Sequence, residues 1–84
     1  MFINKAAGGR NNLCGKAVAA ARKARQLSQR ELADALQLLG LDIDKNAIQR
    51  IECGKRFVTD IELVYFSRYF DISYADLLED KDNM

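Results

Sequence analysis

Residues 27–56 read LSQRELADALQLLGLDIDKNAIQRIECGKR, a stretch that admits little besides two short helices and the turn between them. Ser28 and Glu31 stand in the S-x-x-E spacing of a capping box. In such a box the hydroxyl accepts from the third helical amide and the carboxylate reaches back to the N–H of the cap. Leu32, Ala33, Leu36 and Leu39 then recur on one helical face, and Gly40 suits the left-handed residue that closes a helix. Asp44 is a sound N-cap for a second helix, expected over 45–53, with Gly54 ending it.

The same grammar continues on both sides. Asn12 can cap a helix reaching residue 25, whose apolar stripe is Leu13, Ala17, Ala20, Ala21 and Ala24, widened by Val18. Thr59-Asp60-Ile61-Glu62 is a second capping box and opens a helix running to residue 70. Ser73-Tyr74-Ala75-Asp76 is a weaker box for a short helix ending near Glu79. No segment alternates with period two, and no proline interrupts the helices. The expected fold is all-α, a compact five-helix bundle. Residues 1–11 contain Ala-Ala-Gly-Gly without periodicity and are expected to form a flexible arm. Residues 12–79 are then the folded domain, and 80–84 a fraying tail.

Composition narrows the chemistry. The chain has no histidine, which excludes a zinc finger and removes the commonest acid–base catalyst. No nucleophile–base pair, metal cluster or phosphate loop is visible, so neither an enzyme nor a cofactor is expected. Cys14 and Cys53 are too few for a disulfide scaffold and are expected to be reduced and unbonded. The basic neighbours of Cys53 leave a redox-sensing role as a remote alternative. No apolar run approaches the roughly 20 residues that span a bilayer, and no signal peptide is evident, so a cytoplasmic protein without a membrane partner is expected.

Charge is unevenly placed. Residues 1–56 hold 11 Lys/Arg against 5 Asp/Glu, a net +6, whereas 57–84 hold 2 against 7, a net −5. One part of the surface thus suits phosphate and another suits something else. On a helical wheel over 45–53, Ala47, Ile48 and Ile51 fall on one side, with Lys45, Asn46, Gln49 and Arg50 on the other. Arg and Lys match the guanine O6/N7 edge, and Asn and Gln the adenine N6/N7 edge. Any amphipathic helix has a solvated face; this one carries base-reading types and no acid.

Together these residues resemble the Cro and phage-repressor type of helix-turn-helix domain, the XRE family with its lambda-repressor-like fold. The likeness is carried by Arg22, Leu27-Ser28-Gln29, Leu32-Ala33, Ile48, Ile51-Glu52, Gly54-Lys55-Arg56, Phe70-Asp71-Ile72-Ser73 and Leu77-Leu78. It spans roughly residues 12–79. It implies a five-helix bundle, sequence-specific binding of double-stranded DNA, usually as a homodimer, and a transcriptional regulator, by expectation a repressor. By the same resemblance Lys45, Asn46, Gln49 and Arg50 contact bases, Gln29, Lys55 and Arg56 contact phosphates, and Arg22 and Glu52 form a buried ion pair. The chain departs from the pattern over 37–44, where the connection is longer than the usual 3–4 residues. The expected resolution is an extended second helix, with Leu38, Leu39, Leu41 and Ile43 as packing.

The helix after residue 59 carries two stripes. Leu63, Phe66 and Phe70 fit a core face. Ile61, Tyr65 and Tyr69 form a second stripe, either half-buried surface or the contact of a symmetric dimer. The rival to a DNA-binding regulator is a protein-interaction module, such as an antitoxin or anti-repressor, acting through the acidic C-terminal half.

Overall fold

The computed structural model describes residues 4–79. After a 3-10 turn at Ala7–Gly9 come α1 (Gly15–Ala24), α2 (Gln29–Leu38), α3 (Lys45–Glu52), α4 (Asp60–Phe70) and α5 (Tyr74–Leu78). No strand occurs among the described residues. The expected tail at 80–84 and the first three residues of the expected arm lie outside them.

Helices α2, α3, α4 and α5 start where their caps dictate. Both halves of the Ser28/Glu31 and Thr59/Glu62 boxes are formed, and the Asp44 and Ser73 side chains accept from the Ala47 and Asp76 amides. Each cap satisfies donors that a helix cannot satisfy itself, and is worth about 1 kcal/mol.

The stops explain where the sequence reading of the connection goes wrong. Helix α2 does not gain a turn. Gly40, at φ 107°, closes it, with the Gly40 N–H donating to Gln37 O (3.0 Å) and the Leu41 N–H to Leu36 O (3.0 Å). This is a Schellman stop, which turns the chain back over the helix end. Leu41 and Ile43 are carried into the core, whereas Leu38 is 90% and Leu39 53% exposed. The connection over 39–44 is looped and is latched by Gln37 Nε2 donating to Ile43 O at 2.7 Å.

Helix α1 is also shifted from expectation. Asn12, expected as its cap, accepts from the Gly15 amide through Oδ1 (2.9 Å), but the cap position is Cys14, whose side chain makes no cap bond, and regular helix begins only at Gly15. The buried face is centred on Cys14 and Val18, with Ala17 and Ala21 at its margin. Leu13, Ala20 and Ala24 are exposed. A run of alanines looks apolar on several faces at once, so its true inner face is set by the partners.

Those partners define the core. Helix α1 packs on α3 and α5, α2 on α3, and α4 on α5. Val18, Leu32, Leu36, Ile48, Ile51, Phe66 and Leu77 are fully buried where these helices meet. Burying such a side chain contributes about 1.5–3 kcal/mol each. Helix α3 is thereby covered by α1 and α2 along its inner side.

Candidate nucleic-acid interface

The outer side of α3 remains open. Lys45, Asn46, Gln49 and Arg50 are all exposed, while Ile48 and Ile51 opposite them are fully buried. Among the described residues none of these four side chains has a hydrogen bond or ion pair. Four long polar groups on one helical face are therefore available to an external ligand.

That helix is held firmly from behind. Glu52 at its end receives Arg22 Nε on Oε2 at 2.7 Å and Arg22 Nη2 on Oε1 at 2.9 Å. The two side chains are 12% and 8% exposed. The hydrogen bond to Glu52 is the main cause holding the Arg22 guanidinium in its charged form more strongly than usual. Arg22 Nη1 also donates to Leu27 O (2.8 Å), and Gln29 Nε2 donates to Glu52 Oε1 (3.0 Å). One carboxylate therefore joins α1, the start of α2 and the end of α3. Gln29, expected at a phosphate, has one of its amide hydrogens engaged in this network.

A second set of bonds grips the C-terminal end of α3, and sequence reasoning missed it. Arg10 Nη2 donates to Glu52 O (2.8 Å), and the Asn11 N–H to Gly54 O (2.7 Å). Asn11 Nδ2 donates to Lys55 O (3.0 Å); Asn12 Nδ2 donates to both Ile51 O (3.0 Å) and Arg56 O (2.8 Å). Helix-end carbonyls lack internal partners and attract cations and donors, and residues 10–12 supply both. Arg10 and Asn11, the last two residues of the expected flexible arm, make these bonds. No local spacing signals this, because the partners lie about forty residues away in sequence. The close approach needs two glycines. A Cβ at Gly54 (φ 81°) would stand 2.8 Å from the Arg10 side chain, and one at Gly15 would collide with Ile51 O.

The turn after α3 contains the other two expected phosphate contacts, and they differ. Lys55 is exposed and unpaired. Arg56 instead spans Glu62, Nη1 to Oε1 at 2.9 Å and Nη2 to Oε2 at 2.8 Å. Burial pushes the Glu62 carboxyl upward, but the Arg56 hydrogen bonds and the Thr59 amide outweigh it and hold the acid below its ordinary range.

The second stripe of α4 is divided. Ile61 is 64% exposed. Tyr65 is half-buried with its hydroxyl against the Gly40 turn. Tyr69 meets Phe70 edge-on at 5.1 Å, and the Arg25 guanidinium lies over both rings at 5.3 and 5.4 Å. Both tyrosines thus pack on this chain's own core.

Cys14 and Cys53 are free thiols, the first buried and the second exposed. Burial is the largest influence on Cys14 and pushes its thiol up to about 11. Iodoacetamide at neutral pH is expected to label Cys53 alone in the native protein and both residues after denaturation. Native labelling of Cys14 at a comparable rate would contradict the packing of α1.

Among the described residues no helix is long and apolar enough to cross a membrane. No known family model, curated protein or solved structure matches the chain.

Proposed function

We propose that this chain is a sequence-specific double-stranded DNA-binding transcriptional regulator, acting as a repressor, in which α2 and α3 form a helix-turn-helix and α3 enters the major groove. The observation that carries this reading is the unpartnered Lys45/Asn46/Gln49/Arg50 face on a helix bonded at its back and both ends. Base readout needs such a face: donors and acceptors of the right types, held rigidly, with no internal partner to give up. The six-residue loop over 39–44 replaces the usual short turn, and the two helices still pack directly on each other. In this reading two copies bind as a homodimer, with half-sites about one helical turn apart.

The protein-interaction reading finds less support. Tyr65 and Tyr69, the stripe that either a protein partner or a second copy would use, cover this chain's own core. Exposed Ile61 is what remains of that stripe for a partner.

The test begins with selection of a preferred duplex from a random-sequence pool. Arg50→Ala should then weaken binding to that duplex by about 1–3 kcal/mol and relax selectivity at one base position. Binding to random duplex should change much less. Equal losses on selected and random DNA would remove α3 from the groove.

A further inference from the structure

We infer that Arg56 is a positioning residue of the DNA-binding surface and makes no phosphate contact, so that Lys55 alone supplies the phosphate charge of the turn after α3. The inference rests on the DNA-binding reading above and refines its electrostatic footprint.

The backbone groups and both Nη nitrogens of Arg56 are already committed within the chain. Its N–H donates to Arg50 O (3.3 Å), and its carbonyl accepts from Asn12 Nδ2 (2.8 Å). Its guanidinium spans both Glu62 oxygens, and Nη1 also donates to Phe57 O at 3.1 Å. The residue thus ties the end of α3 to residue 12 and to the first turn of α4. Glu62 cannot release it cheaply. That side chain is 8% exposed, and it also accepts from the Thr59 amide (2.9 Å) in the capping box. Were Arg56 to swing out to a phosphate, it would leave a buried carboxylate without its counter-ion, which costs more than an exposed ion pair returns. Bidentate Arg–carboxylate pairs are among the stronger charge-assisted contacts.

The electrostatic consequence is measurable. Counterion release follows phosphates neutralised, at a slope of about −0.9 per phosphate in log K against log salt. A guanidinium already neutralised by Glu62 presents no net charge to DNA. Lys55, exposed and unpaired one residue earlier, presents a full one.

The experiment measures binding to a short mixed-sequence duplex between about 50 and 200 mM salt. It compares the wild type, Lys55→Gln, Arg56→Met, and the double variant Arg56→Met with Glu62→Gln. Gln keeps the capping box at position 62. Lys55→Gln should reduce the slope by about 0.9. Arg56→Met should lower affinity several-fold and the melting temperature by about 5 °C or more. The double variant should recover both and show the wild-type slope, because the two lost charges cancel. A double variant with a slope reduced by about 0.9 and no recovery of affinity would make Arg56 a phosphate contact and overturn the inference. If the wild type itself shows no salt-dependent binding, the DNA reading fails. The melting arms then stand alone: a fall on Arg56→Met restored in the double variant upholds the role of the pair in the fold, and an unchanged melting temperature ends it.

Discussion

Glu52→Ala is expected to destabilise the protein by about 3–5 kcal/mol, the cost of breaking a buried ion pair by removing one partner. The lost carboxylate serves three donors, Arg22 Nε, Arg22 Nη2 and Gln29 Nε2. It leaves behind a guanidinium whose side chain is 12% exposed. At roughly 0.05–0.15 kcal/mol per residue, a domain of this size has only about 4–13 kcal/mol in hand. The loss is therefore a large part of the whole, and the variant should be partly unfolded at physiological temperature. Glu52→Gln keeps an acceptor for Arg22 and gives up the charge, so it should fall between the two. Urea denaturation of the three proteins measures this directly. An Ala variant with the wild-type midpoint would mean that the network joining α1, α2 and α3 contributes nothing.

Gly15→Ala should also be destabilising, by less than Glu52→Ala, and the sign is the informative part. Within a helix, alanine is favoured over glycine by about 0.5–1 kcal/mol. Propensity alone thus predicts stabilisation. The added methyl, however, would collide with the Ile51 carbonyl oxygen, and would stand 2.6 Å from Arg10 Nη2 and 2.7 Å from Asn12 Oδ1. The oxygen cannot withdraw without abandoning its bond from Asn12 Nδ2. Overpacking of this kind costs about 1–3 kcal/mol or more, which outweighs the propensity gain. At about 4–8 °C per kcal/mol for a small domain, a net loss of about 1–2 kcal/mol should lower the melting temperature by roughly 4–16 °C. A rise would show that α1 and α3 are not in close backbone contact.

What could be read in the chain beforehand follows the range of the forces involved. Caps are local, so Ser28/Glu31, Asp44, Thr59/Glu62 and Ser73 announce helix starts within a few residues. Glycine stops are local too, and Gly40 and Gly54 were legible as helix ends. The outer face of α3 follows from its period and the placing of Ile48 and Ile51. Features decided by distant partners were hidden. The inner side of α1 depends on which alanines meet α3 and α5, and Leu13 lost that competition to Cys14. Leu38 and Leu39 are apolar, yet the Schellman stop at Gly40 leaves them outside, a choice hydrophobicity cannot reveal. Arg10 looks like an ordinary polar residue, and Asn12 like a helix cap alone, until residues 51–56 arrive beside them. Arg56 reads as a phosphate contact because its partner, Glu62, is legible only as half of a capping box.

The separation between what holds α3 and what it displays has an evolutionary consequence. Substitutions at exposed positions away from caps and networks usually change stability by no more than about 0.5 kcal/mol. Lys45, Asn46, Gln49 and Arg50 are such positions, whereas Asn12, Gly15, Arg22, Glu52 and Gly54 carry the anchorage. Lineages descending from this chain can therefore exchange the displayed set freely, even all four together, and remain folded throughout. On the DNA-binding proposal, drift in what is recognised would leave no trace in thermal tolerance, and a purifying constraint on the anchoring residues would persist across descendants that no longer share a target.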